Sequence, residues 1–496
     1  MVNNVNKNID YINKFNGKNK EKLKSFFNRL DKLVTINKKD KRKIIRDFEN
    51  YIVYLYPEKS ISSIIELLDI SNFPLAYSKK NEWYPLDNSS KIYPLSMQED
   101  WMSIYRLSYY LKDDIIEEVL QVALLFTMVR FPIFRTSVHK GFFWNYLNGV
   151  NKHFKIEKEE NTPCSKINIS KFGTQAFRVC FYKNRISCEF FHILADAHGG
   201  MVFLTTLVNE YLRLLGKKVS YNEYALNTLD VPNKEEWEDA FLKNKQEENK
   251  GSLIENKALS LDGKLSLIRP CQVLHFDLDL KRLHDLAKEK DVTINELLLS
   301  FLFMVLSFST SKDGFIKIQV PINIRKYYPT KTIRNFSLYT TISIHKKDVK
   351  DFSYVLEEVK KQSRAKITKE TIDGLIYHSC HLVKSLSPIP LFIKKPIANF
   401  IYRNYGDKSS TTVLSNLGKI DLPKELSQEV IEANFILGTN LTNRILFSVI
   451  TINDVVNLTI SKFTTNKSCE NNLYNQLKEH NLIKRVYGSD EYEYRK

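Results

Sequence analysis

At 496 residues the chain is too long for one ordinary domain, and its 43% hydrophobic and 12% aromatic content is enough to build real cores. With 15 Gly and 14 Pro it is neither collagenous nor Pro-rich, and that apolar content excludes disorder of the whole polypeptide. The net charge of +17 invites a nucleic-acid partner, but Lys is spread along nearly the whole sequence beside abundant Asn and Ile, the mark of compositional bias.

Residues 1–75 read as a small α-helical module. Apolar residues recur at helical spacing in Leu23, Phe27, Leu30 and Val34 and again in Ile45, Phe48 and Ile52. The basic stretch Lys38–Lys43 opens the second helix as a solvated face, and a third helix around Ile61–Leu68 follows Pro57. Such a unit serves either as an interaction module or as an extension packed on the main body. From Trp83 the pattern turns mixed α/β. Asp113–Val129 reads as an amphipathic helix, followed by a strand-like segment through Phe131, Phe134, Thr136 and Val138. Residues 176–191 read as a hairpin turning at Lys183-Asn184, and a helix follows from about Met201 to Leu215. Residues 221–270 are polar and read as a crossover or linker. The mixed pattern resumes with a strand at Val273–Leu278 and a helix at Leu280–Lys288. The capping box Thr293-Ile294-Asn295-Glu296 then launches an apolar helix, Leu297–Phe308. Further strands are expected at Ile316–Val320, Tyr339–Ile344, Ile445–Thr451 and Val456–Ser461. Two α/β halves, 82–220 and 271–496, thus flank a polar link.

The six cysteines (Cys164, Cys180, Cys188, Cys271, Cys380, Cys469) show no C-x-x-C spacing, and Cys180 and Cys188 sit in alternating strand-like sequence, where a free buried thiol is the usual occupant. Met1 is followed by a polar stretch with no apolar signal core, and the longest apolar run is shorter than the ~20 residues a bilayer requires. These features set the expectation of a cytoplasmic protein.

The chemistry-bearing segment is Phe190-Phe191-His192-Ile193-Leu194-Ala195-Asp196-Ala197-His198-Gly199-Gly200. A hydrophobic strand delivers His192, and a turn with small residues leads into a helix. An imidazole held there has a pKa suited to taking a proton from a hydroxyl or amine. Asp196, four residues on, can bind a basic partner and lock the turn. The structural alternative is a histidine that merely ends a buried strand. A metal reading of His192, Asp196 and His198 lacks any further ligand pair at recognisable spacing, and His378, Cys380 and His381 lie in helical sequence, so no metal is expected.

His192-x-x-x-Asp196 resembles the H-x-x-x-D-G signature of the CoA-dependent acyltransferase superfamily, which includes chloramphenicol acetyltransferase, condensation domains and alcohol acetyltransferases. Five flanking segments agree in order: Arg130-Phe131-Pro132-Ile133-Phe134-Arg135-Thr136, Gly141-Phe142-Phe143-Trp144, Val320-Pro321-Ile322-Asn323-Ile324-Arg325, Arg334-Asn335-Phe336 and Ser415-Asn416-Leu417-Gly418. The resemblance runs from about Trp83 to Ile483 and leaves the helical N-terminus outside. It implies an α/β (α+β) fold of two chloramphenicol-acetyltransferase-like subdomains, a pseudo-dimer with a central tunnel. Acyl-CoA or an acyl-carrier protein would be co-substrate, with no bound cofactor. An alcohol or amine would be acceptor and His192 the general base. The excess positive charge suits a CoA phosphate or a carrier-protein surface, without nucleic acid. Asp196 is then structural and pairs with an arginine, Arg135 first and Arg325 second. Asn335, Ser415 and Asn416 are candidates for lining the tunnel or donating to the oxyanion.

Two departures from the pattern matter. Ala197 stands where the signature has Gly, a strain if that position needs φ > 0, unless Gly199 and Gly200 absorb the turn. Phe191 stands where condensation domains carry a further His, which favours a stand-alone acyltransferase. The alternative, motivated by Ala197 and the extra helical module, is a catalytically degenerate binding protein on the same scaffold.

Overall fold

The aromatic- and β-branched-rich hairpin segment forms two strands, Phe177–Tyr182 and Arg185–Phe191, turning through Lys183 at φ 48°. The computed structural model describes residue 15 and residues 17–489, apart from 80–81, 98–101, 161, 170–172, 246–256, 269, 402–406 and 439–442. The hairpin lies inside a five-stranded sheet, in the order Val430–Leu437, Ile104–Leu111, Arg185–Phe191, Phe177–Tyr182, Glu157–Lys158. Its first strand comes from the C-terminal part of the chain and pairs antiparallel with Ile104–Leu111 from Val430↔Leu111 to Leu437↔Tyr105. One half therefore lends a strand to the other.

A seven-stranded sheet runs Ser337–His345, Phe315–Asn323, Thr412–Lys419, Ile445–Ile452, Val455–Lys462, Gln272–Asp279, Ile483–Gly488. Thr412–Lys419 is parallel to both neighbours, and the other pairings are antiparallel. The helix Ile294–Phe308 starts at the capping box, with Thr293 Oγ1 accepting from Glu296 N and Glu296 Oε2 accepting from Thr293 N. Leu297 to Ser307 are all buried in the second core. Among the described residues no single helix is long and apolar enough to cross a membrane, and all six cysteines are buried.

The amphipathic pattern at 113–129 becomes the helix Glu117–Arg130, buried from Val119 to Arg130 rather than along one face. The reason is the N-terminal unit of helices Gly17–Leu33, Lys38–Leu55 and Ile61–Glu66, whose helix Lys38–Leu55 and following turn Phe73–Leu75 pack on its outer side. Phe48 and Phe73 meet Phe126 edge-on at 6.2 and 5.1 Å, and Tyr51 Oη donates to Leu214 O at 2.8 Å. The N-terminal helices share one continuous core with the five-stranded sheet. Within the polar stretch, Glu236 forms a buried fork with Arg130 through Nη1 and Nη2, and Asp239 accepts from Asn88 N at 2.9 Å. The most highly charged part of that stretch, 246–251, lies outside the described residues.

Candidate active site

The strand Arg185–Phe191 ends where its partner does, at Phe191↔Ile104, and His192 N donates to Ser103 O at 2.8 Å. Pairing to the last residue fixes where the ring can lie. Tyr93 stacks on it with centroids 4.6 Å apart and planes at 24°, and Tyr105 meets it edge-on at 5.3 Å. His192 keeps partial exposure between them.

The other half of the molecule supplies the partner of Nδ1. Asn335 Oδ1 lies 2.8 Å from His192 Nδ1. Its Nδ2 faces acceptors, His192 O at 2.9 Å and Ser90 Oγ at 2.9 Å, with Asp87 Oδ2 at 3.4 Å. Ser90 Oγ has already given its proton to Asp87 Oδ2 at 2.6 Å or Ile193 O at 2.8 Å, so it can accept. The amide is oriented by these contacts, and its carbonyl oxygen can only accept from an Nδ1–H. Neutral His192 therefore carries its proton on Nδ1 and leaves Nε2 with a free lone pair. Burial pushes the imidazole pKa below 6.5, partly countered by the Asp196 charge and the Asn335 bond, so the base form is present at neutral pH.

Asp196 is the N-cap of the helix Ala197–Leu214, with Oδ1 accepting from Gly199 N at 3.0 Å. Its Oδ2 accepts from Arg325 Nη1 at 2.7 Å and from Phe336 N at 2.9 Å. Arg325 is held in turn by Arg334 O at 2.6 Å and Thr332 O at 3.0 Å. Burial works against the ionised carboxylate, but the Arg325 guanidinium and these N–H donors outweigh it and hold the carboxyl below its usual range. Both oxygens are committed to donors, which leaves nothing for a cation. His198 packs edge-on against Tyr224 at 5.4 Å, and burial with the nearby Arg325 lowers its pKa to about 4.

The arginine paired with Asp196 is thus Arg325, from the second half. Arg135, placed first on sequence, is a correction: it is buried with Tyr77, Tyr84 and Glu82 as its electrostatic neighbours, and burial lowers its pKa. Sequence spacing ranks residues near in the chain, whereas Arg325 arrives by tertiary docking. Asn335 is also reassigned. Its amide protons are spent on His192 O and Ser90, so it positions the histidine and has none left for an oxyanion. Asn416 donates to Asn295 Oδ1 at 3.1 Å and accepts from Gly418 N at 2.8 Å, a local turn at the strand irregularity, while Ser415 stands opposite Ser448 in the sheet. Neither role involves His192.

Gly199 is required by contact. A Cβ there would lie 1.8 Å from Ile333 O, in the segment that brings Arg334 and Asn335. Ala197 is the first residue of its helix and is not among the residues with positive φ, so the departure from the Gly signature carries no backbone strain. His378 and His381 lie on the helix Lys369–Leu386, with His381 stacked on Tyr377 at 5.7 Å. Sequence reading missed Asp87, Ser90, Tyr93 and Tyr105. Only Asp87-x-x-Ser90 leaves a local trace, a cap-like contact three residues apart in which Asp87 Oδ1 accepts from Ser90 N at 2.7 Å.

No protein-family model matches the chain, and neither does any curated protein. Solved structures share its fold. Trichothecene 15-O-acetyltransferase TRI3 from Fusarium sporotrichioides aligns at a TM-score of 0.53 and 11% identity, covering 81% of this chain and 94% of its own. The starter condensation domain of rhizomide synthetase, in complex with C8-CoA, gives 0.51 and 11%, covering 80% and 94%. The epimerization domain from the third module of tyrocidine synthetase B gives 0.51 and 12%, covering 81% and 95%. At these identities the shared property is the fold alone.

Proposed function

We propose that this chain transfers an acyl group from a CoA or carrier-protein thioester to an alcohol or amine, with His192 Nε2 as general base. The observation that carries the reading is the clamp on Nδ1: Asn335 fixes the tautomer and plane of a partly exposed, neutral imidazole at the junction of the two halves. Nε2 accepts the proton of the acceptor O–H or N–H as that atom attacks the thioester carbonyl. The tetrahedral adduct collapses, the C–S bond breaks, and the proton on Nε2 passes to the leaving thiolate. Such base assistance is worth about 100- to 10,000-fold in rate. Donor and acceptor would approach His192 from opposite faces of a tunnel between the halves. Asp196 and Arg325 act at a distance, holding the turn after His192 to the second half.

Free-thiol release from a panel of short to long acyl-CoAs, and from acylated carrier protein, with mixed alcohols and amines tests the reading. Acceptor-dependent release is the expected outcome. Its absence with every donor, while the protein still binds an acyl thioester, would favour a binding protein on the same scaffold. Of the two sequence motives for that alternative, Ala197 and the extra helical module, the first is weakened by its ordinary helical position.

A further inference from the structure

The helix Leu391–Ile401 presents large apolar side chains to solvent: Phe392 is 70% exposed, Ile397 53% and Ile393 43%. Leu391 N donates to Phe142 O at 2.8 Å, which joins this helix to a loop carrying Phe142, 66% exposed, and Phe143. The two elements are tied again underneath, where Lys394 Nζ sits 3.3 Å from the Trp144 ring centroid. Five exposed apolar side chains on two bonded elements make one patch, unlike the scattered single residues found on any soluble surface.

The two chain segments that carry the patch are basic. From Gly374 to Gly406 and from Val119 to Ile156 the sequence contains no Asp or Glu. Lys140 and Lys384 are exposed and Lys395 half-buried, and buried Lys394 Nζ has no hydrogen-bond acceptor among the described residues. We infer that this face, residues 142–144 with the helix Leu391–Ile401, docks on an anionic lipid bilayer. Aromatic and branched side chains enter the acyl boundary while lysines meet lipid phosphates, the combination that holds an amphipathic helix in the plane of an interface. A bilayer accounts for both halves of the observation. A second copy of this chain would bring the same positive charge against itself. The same helix packs on Tyr93–Ser96, whose Tyr93 stacks on His192, so the docked face lies one element from the histidine. The inference does not depend on the reaction proposed for His192.

Sedimentation of the full chain with vesicles tests it, using phosphatidylcholine alone and phosphatidylcholine with about one third phosphatidylglycerol. Binding to the anionic vesicles is expected, weaker without phosphatidylglycerol and weaker in high salt. Phe392→Ser with Ile397→Ser should cut it by about tenfold or more, with near-ultraviolet dichroism unchanged. Lys384→Glu with Lys395→Glu, a variant that leaves the apolar side chains intact, should cut binding to anionic vesicles selectively. No sedimentation with either vesicle, or binding that survives both double variants, overturns the inference. So does a dimer that the Phe392/Ile397 variant converts to monomer while vesicle binding is absent, which would make the occupant a second copy.

Discussion

At the residue scale the decisive contact is between His192 Nδ1 and Asn335 Oδ1. It raises the imidazole pKa against the burial that lowers it. Asn335→Ala should therefore move the acidic limb of the pH–rate profile to lower pH, and should lower the rate at its plateau because the ring loses its fixed tautomer. Asn335→Asp should move the limb upward, since a carboxylate favours the imidazolium. Profiles of kcat/KM for the two variants check the opposite signs; a shift in the same direction for both would contradict the role given to Asn335. His192 and Asp196 were legible in the sequence because their spacing is local. The tautomer was not, since it depends on Ser90 and Asp87, whose side chains reach the site from a segment about a hundred residues earlier.

At the element scale, the start of the helix Ala197–Leu214 is where the halves meet. Asp196→Ala removes a helix cap and one member of a buried ion pair, and leaves Arg325 buried without its counter-ion. Destabilisation of about 3–5 kcal/mol is expected by urea unfolding. Gly199→Ala forces a Cβ against Ile333 O and should cost about 1–3 kcal/mol through displacement of the segment carrying Asn335, so activity should fall with stability. Ala197→Gly should bring no gain in either. The hairpin, the capping box and the buried helix after it were legible because turn and cap chemistry is written in adjacent residues. The helix Glu117–Arg130 was only half legible: its periodicity gave the face toward the sheet, while burial of its other side comes from the N-terminal helices, whose docking no local pattern reveals. Pairing of Val430–Leu437 with Ile104–Leu111 was invisible for the same reason.

Across the whole molecule, buried neutral histidines in both halves link stability to pH. Burial lowers the pKa of His275 to about 3, where its Nδ1 lies 2.8 Å from Thr459 Oγ1 and its ring stacks on Tyr487, and lowers that of His198 to about 4. The unfolded chain takes up these protons near pH 6.5, before the folded one does. The stabilisation is therefore fully present above about pH 6.5 and is lost as pH falls toward the folded values. Urea midpoints should drop steadily between about pH 7 and pH 5, with a shallower slope in His275→Gln. A midpoint that rises over that interval would reverse the sign of this linkage. At this scale the mixed α/β class and its two halves were readable from the alternation of strand and helix periods, whereas the exchanged strand and the shared N-terminal core belong to packing.

The central claim is that His192 is the base of an acyl transfer. Its most direct test is acceptor-dependent thiol release from the best acyl thioester of the panel, compared between the wild type and His192→Ala at matched folding. A fall of about 100- to 10,000-fold in the variant, with thioester binding retained, is predicted. A variant that releases thiol at the wild-type rate would contradict the assignment and return His192 to the role of a packed residue at the end of a strand.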